Sequence, residues 1–148
     1  MSKLIELEKM GQSIWLDYIQ RSLLTSGELK QMVDSGLRGV TSNPAIFEKA
    51  IAGSNDYDDD LKQLIKTDGS IEQIYEALAI KDITIATDIL RGVYDSSNAK
   101  DGYVSLEVSP ELAYQTEKTV AEAKRLYETV NRPNVMIKVP ATKEGLPA

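Results

Sequence analysis

Short runs of apolar residues alternate with segments of helical periodicity along the chain, and this alternation constrains the fold most strongly. Predicted strands cover residues 13–19, the end of the segment 36–44, residues 103–108, and "VMIKV" around Lys138. The runs are continuously apolar rather than alternately apolar and polar, which is typical of parallel strands covered by helices on both faces. The sequence therefore predicts an α/β fold with a parallel sheet.

The segments between these strands carry helix signals. Residues 57–94 are expected to be helical in two or three pieces, and "SPELAYQTEKTVAEAKRLYETV" is the clearest helix. The residues expected to begin or end helices are Ser26, Gly36, Pro44, Ser70, Asp82, Ser109 and Pro110. The stripe expected to be buried on the last helix contains Leu112, Thr116, Val120, Ala123, Tyr127 and Val130.

Composition limits the functions that such a chain can have. Its 148 residues carry a net charge of −6, which disfavours binding to nucleic acid or to an anionic membrane surface. No segment approaches the apolar length of a membrane span, and the start lacks a signal-peptide pattern, so a cytoplasmic protein is expected. Cysteine and histidine are both absent, so catalysis has to use carboxylate, amine and hydroxyl groups.

One polar side chain lies near the carboxyl end of each predicted strand. These residues are Asp17, Asn43, Glu107 and Lys138. Ligands of parallel α/β folds bind at that end of the sheet, above all in the (β/α)8 barrel, so the four side chains are expected to converge. Three of them have a structural alternative: Asn43 and Glu107 as helix caps, and Asp17 as an exposed strand end.

Lys138 is the least comfortable of the four as a purely structural residue. It lies within the apolar run Val135, Met136, Ile137 and Val139. An unpaired charge in a protein interior costs several kcal/mol, so a buried position would favour the neutral amine, which is a nucleophile. By contrast, the acidic run "YDDDLK" at 57–62 is expected to be a solvated helix start rather than a metal site.

Two segments resemble the signatures of the transaldolase family. They are "GVTSNPAIF" at 39–47 and "VMIKVPATKEGLPA" at 135–148, and "WLD" and "VSLEVSP" are similar to the family's first and third strands. The resemblance extends over the whole chain. It implies a (β/α)8 barrel of the class I aldolase type and transfer of a dihydroxyacetone unit between sugar phosphates in the non-oxidative pentose phosphate pathway. It also implies that no metal or organic cofactor is needed.

The resemblance also implies a role for each residue. Lys138 would form a Schiff base with the ketose carbonyl, and Asp17 would take the hydroxyl proton when the carbon–carbon bond breaks. Glu107 would act through a bound water in forming and hydrolysing the imine. Asn43 would hold the dihydroxyacetone hydroxyls, with Thr41 and Ser42 lining the same loop. Two related alternatives remain open: a fructose 6-phosphate aldolase, and a transaldolase fused to a glucose-6-phosphate isomerase.

Residues 1–148 are expected to form a single domain with about four strand–helix units, whereas the family's barrel has eight. The resemblance implies that the phosphate-binding serine and arginine, and the threonine partner of the catalytic water, lie beyond Ala148. This polypeptide is therefore expected to have little activity by itself. Its unpaired strand edges and open inner face are expected to cause self-association as a homodimer or larger oligomer.

Overall fold

The computed structural model describes residues 2–148 and contains four strands and seven α-helices in these residues. The strands are β1 (Trp15–Asp17), β2 (Gly39–Thr41), β3 (Tyr103–Glu107) and β4 (Val135–Lys138). The helices are α1 (Lys3–Lys9), α2 (Arg21–Thr25), α3 (Glu28–Asp34), α4 (Pro44–Ala52), α5 (Asp58–Leu64), α6 (Ile71–Ser96) and α7 (Thr116–Val130). Short 3-10 turns follow α5 and precede α7, at Ile65–Thr67 and Pro110–Leu112.

The four strands form one parallel sheet in the order β1-β2-β3-β4. Each strand pairs with the next in the chain, and helices occupy every connection between them. This arrangement confirms the predicted α/β class and is consistent with part of a (β/α)8 barrel.

The sheet has one apolar face and one mainly polar face because side chains alternate along each strand. Val40, Val104, Leu106 and Val135 are buried against the helices and form the core with residues such as Ile83 of α6. The register of the strands gives the layers of the opposite face, which would be the inside of a barrel. They contain Trp15, Gly39 and Tyr103, then Asp17, Thr41, Ser105 and Met136, and finally Glu107 and Lys138.

Gly39 is required by the close approach of Trp15. The indole ring lies directly against the Gly39 backbone, and a Cβ atom added there would overlap the ring. Trp15 and Gly39 are paired in the register of β1 and β2, so the large side chain occupies the space that its partner leaves. This pair fills the first layer of the inner face without separating the strands.

Several helix boundaries differ from the prediction. The Ser70 cap is confirmed, with a reciprocal capping box to Gln73. Asp82 does not begin a helix, because it lies in the interior of α6, which is 26 residues long. Its carboxylate is fully buried there. Ser109 and Pro110 open only a 3-10 turn, so the main helix α7 starts later than expected.

The predicted stripe on α7 is only partly correct. Val130 is buried as expected, but Tyr127 is exposed, and Thr119 and Leu126 are the other buried residues of this helix. Within residues 2–148, no helix combines the length and apolar character that a membrane crossing requires.

Candidate active site

Lys138 lies at the carboxyl end of β4, beside the end of β3. Its Nζ donates a hydrogen bond to the Ser42 carbonyl oxygen at 2.7 Å and forms an ion pair with Glu107 Oε2 at 3.0 Å. Glu107 and Lys138 are directly opposed in the register of the two strands. Three of the four parallel strands thus contribute to one cluster, as the position of strand ends in this fold predicts.

The prediction that Lys138 is buried is wrong within residues 2–148. Its side chain is 39% exposed, and Met136, which points to the same face, is 43% exposed. Apolar sequence neighbours did not imply burial because Val135 and Ile137 point to the helices, whereas Met136 and Lys138 point to the open inner face. The ammonium group also has a partner of opposite charge, so it does not incur the cost of an isolated buried charge.

Glu107 is more enclosed than its lysine partner, with a side chain that is 21% exposed. It lies beside a cavity of about 320 Å³ between α6 and α7, which Tyr75 also lines. Burial, together with the negative charges of Glu107 and Glu48, raises the pKa of Tyr75 to about 12. The phenol therefore stays protonated near neutral pH and does not serve as a base there.

Hydroxyl groups connect β2 and β3 beneath the lysine. Ser105 Oγ donates to Thr41 Oγ1 at 2.8 Å, and Ser42 Oγ donates to the Ser105 carbonyl oxygen at 2.7 Å. Ser42 is fully buried, so its contact with the site is its carbonyl oxygen, which accepts from Lys138. The sequence analysis did not select Ser105, although its position two residues before Glu107 on a strand places it on the same face.

Asn43 follows β2 and is the N-cap of α4. Its Oδ1 accepts a hydrogen bond from the Ile46 backbone N–H at 3.0 Å, which confirms the capping alternative. This bond uses only the carbonyl oxygen of the side-chain amide. The two N–H donors of the same amide stay available for a ligand. Capping and ligand binding by Asn43 are therefore compatible.

Asp17 ends β1 and is exposed, in register with Thr41. Within residues 2–148, its carboxylate makes neither a hydrogen bond nor an ion pair. Asp17 thus shares the inner face and the carboxyl end with Lys138 and Glu107, but β2 lies between it and Glu107, and β2 and β3 lie between it and Lys138. The arrangement provides an amine with an adjacent carboxylate on one side and a second, unpaired carboxylate on the other.

Comparison with known proteins identifies the family of the chain that carries this site. Residues 14–148 match the family described as Transaldolase/Fructose-6-phosphate aldolase. The chain belongs to this family. The matched residues include all six that the sequence analysis selected, since the match begins before Asp17 and continues past Lys138.

Curated relatives in the transaldolase/fructose-6-phosphate aldolase family support the same assignment. The chain is 53% identical to a transaldolase of Trichodesmium erythraeum over 146 residues, which cover 98% of this chain and 38% of the relative. It is 50% identical to transaldolase 2 of Nostoc sp. (100% of this chain, 39% of the relative), and 49% identical to a transaldolase of Neisseria gonorrhoeae (100% and 42%). The chain therefore spans about two fifths of the length of these relatives.

Proposed function

We propose that a full-length enzyme containing this chain is a transaldolase, which transfers a dihydroxyacetone unit from sedoheptulose 7-phosphate or fructose 6-phosphate to an aldose phosphate. "Full-length" here means these residues together with the remaining family sequence. The observation that carries the proposal is the Lys138 amine 3.0 Å from the Glu107 carboxylate, at the carboxyl end of the sheet in a member of this family. The reaction belongs to the non-oxidative pentose phosphate pathway and would take place in the cytoplasm.

The amine and carboxylate pair suits imine formation. Lys138 has to lose a proton before its nitrogen attacks the ketose carbonyl, and Glu107 is near enough to accept that proton directly or through a water molecule. Attack forms a carbon–nitrogen bond and gives a carbinolamine. Return of the proton to its hydroxyl releases water and leaves the iminium ion. The direct contact of the two side chains adds a second route to the water-mediated role expected from the resemblance.

The iminium ion then accepts the electrons of the carbon–carbon bond that breaks. Asp17 removes the proton of the hydroxyl on the carbon that becomes the aldehyde, and the three-carbon unit remains on Lys138 as an enamine. The enamine attacks the acceptor aldehyde, and Asp17 returns the proton. The Asn43 amide and the Thr41 hydroxyl bind the hydroxyls of the three-carbon unit, and Ser42 supports Lys138 through its carbonyl oxygen. This chemistry uses no metal and no organic cofactor.

Reductive trapping tests the proposal directly. Borohydride added to the full-length enzyme with fructose 6-phosphate should leave a reduced three-carbon adduct on the peptide that contains Lys138. Peptide mass spectrometry locates the adduct. An adduct on Lys143 or Lys124, or the absence of any adduct, would contradict the proposed function.

Glu107→Gln should slow imine formation. The amide keeps the size of the side chain but cannot accept the proton from Lys138, so we expect trapping to slow by about 10²-fold, the lower end of general acid–base contributions. The rate of adduct formation measures this step. Glu76→Gln, which removes an exposed carboxylate paired with Arg125, is the matched control. Equal trapping rates in Glu107→Gln and the unmodified enzyme would refute the role of Glu107.

A fructose 6-phosphate aldolase activity is the second candidate because the family description names both enzymes. The two activities share the lysine chemistry and differ in the fate of the enamine. An aldolase releases free dihydroxyacetone without an acceptor, whereas a transaldolase retains it. The curated relatives are named transaldolases, which favours transfer. Release of dihydroxyacetone with fructose 6-phosphate alone would favour the aldolase.

Residues 1–148 expressed alone should self-associate. In residues 2–148, β1 and β4 each have a strand neighbour on one side only, and Met136 lies exposed on the inner face. Exposed apolar surface forfeits about 25 cal/mol per Å², and unpaired strand edges invite pairing. We expect a dimer or larger oligomer with little turnover. Light scattering at micromolar concentration tests this, and Met136→Lys should weaken the association. A stable monomer would disprove it.

A further inference from the structure

The short helix α2 begins four residues after Asp17 and is capped from a distant part of the chain. Gln20, the residue before the helix, provides no capping hydrogen bond. Instead, the Arg21 backbone N–H donates to the Tyr57 hydroxyl at 3.0 Å, and the Ser22 backbone N–H donates to Asp56 Oδ2 at 3.1 Å. The first N–H groups of a helix have no partner within it, so these two bonds fix where α2 starts.

Tyr57 is held in turn by a buried ionic cluster. Its hydroxyl donates to Asp82 Oδ2 at 2.8 Å, and Arg21 Nε donates to the other oxygen of the same carboxylate. Tyr57 and Asp82 are completely buried, and the Arg21 guanidinium lies 4.9 Å from the centre of the Tyr57 ring. Burial raises the pKa of Asp82, and the hydrogen bonds from Arg21 and Tyr57 oppose that rise. Asp60 holds a second guanidinium nitrogen of Arg21 at 2.6 Å.

The connection from Asp17 to this cluster is short. Only residues 18–20 separate the end of β1 from α2, and Ile19 among them is fully buried in the core. The Asp17 carboxylate has no hydrogen bond or ion pair of its own within residues 2–148. Its place is therefore set by the backbone on its two sides, which are the pairing of β1 with β2 and the anchored start of α2.

We propose that Tyr57, held by Asp82 and Arg21, is a positioning residue that sets the place of the Asp17 carboxylate during carbon–carbon bond cleavage. This inference rests on the proposed function. Tyr57 lies outside the reacting groups and acts through the first turn of α2. Proton transfer depends steeply on the distance and angle between donor and acceptor, so a small displacement of Asp17 lowers the rate of cleavage without changing imine formation at Lys138.

Tyr57→Phe in the full-length enzyme is the direct test, because it removes the hydroxyl and keeps the ring. We expect kcat to fall about tenfold with KM and the rate of borohydride trapping unchanged, since misplacement of a reacting group by about 1 Å can cost 10²-fold. The decisive comparison is in an Asp17→Asn background, where Tyr57→Phe should cause no further loss. Tyr103→Phe is the matched control. It removes a hydroxyl that donates to Ala99 O at the opposite end of the sheet, and should leave kcat unchanged.

Three outcomes would overturn the proposal: no loss of kcat in Tyr57→Phe, the same loss in both backgrounds, or slower trapping at Lys138. If circular dichroism shows that Tyr57→Phe does not fold, Asp56→Ala is assayed in both backgrounds and interpreted by the same criteria. It releases the other anchored N–H of α2 from an exposed position. Trapping in the unmodified enzyme separates the two hypotheses, because its failure would refute the proposed function rather than the role of Tyr57.

Discussion

Lys138→Arg in the full-length enzyme should abolish both turnover and reductive trapping. Arginine keeps the positive charge and can still bond to Glu107 and to the Ser42 carbonyl oxygen, so the local structure should survive. A guanidinium remains protonated near neutral pH, however, and does not form the imine. Turnover should drop to background, measured as transfer from fructose 6-phosphate to an aldose phosphate, and the adduct should be absent from the mass spectrum.

Lys124→Arg is the matched control for this substitution. Lys124 is an exposed residue on α7, away from the carboxyl ends of the strands, and its replacement should leave both measurements unchanged. Circular dichroism of the two variants checks that folding is intact. Measurable trapping on a different lysine of the Lys138→Arg enzyme would show that another amine forms the Schiff base.

Asp17→Asn should separate imine formation from cleavage. Asparagine is nearly the same size as aspartate but cannot take the hydroxyl proton, so kcat should fall by roughly 10²–10⁴, the contribution of a general base. Trapping with fructose 6-phosphate should continue at an unchanged rate, because Lys138 and Glu107 are intact and strand β2 separates Asp17 from both of them. The variant should therefore accumulate the imine of the uncleaved sugar, which borohydride fixes as a six-carbon adduct.

The mass of that adduct distinguishes the possible results. A six-carbon adduct in Asp17→Asn and a three-carbon adduct in the unmodified enzyme would support Asp17 as the base. Asp34→Asn, at the end of α3 in an exposed pair with Lys30, is the control and should give the three-carbon product. A three-carbon adduct formed at the normal rate in Asp17→Asn would assign the proton transfer to another group.

The strands of the sheet could be predicted from the sequence because the apolar runs that mark them are local features of the chain. Continuous apolar runs indicated where strands lie, and the positions of Asp17, Glu107 and Lys138 near their ends followed from counting along each run. The pairing of Glu107 with Lys138 then follows from the parallel register. The residues at the ends of the strands are therefore enough to indicate a site from the sequence alone.

Contacts between distant segments could not be predicted in this way. Asp82 resembled a helix cap in its local sequence, but its partner Arg21 lies 61 residues earlier, and only the fold brings the two together. Likewise, Tyr57 begins an acidic stretch that looked solvated, yet its ring is completely buried. The exposure of Lys138 depends on what faces β4 across the inner side, and no feature of the run "VMIKV" contains that information.

The sequential strand order has a consequence for synthesis on the ribosome. Each of β2, β3 and β4 pairs with the strand before it in the chain. When one of these strands leaves the exit tunnel, the strand with which it pairs has therefore already emerged. Bacterial and eukaryotic ribosomes add about 5–20 residues per second, whereas small structural units form in well under a second. The sheet can thus grow in the direction of translation. Arg21 must wait for Asp82 to emerge, so the β1–α2 connection should become rigid several seconds after β1 itself.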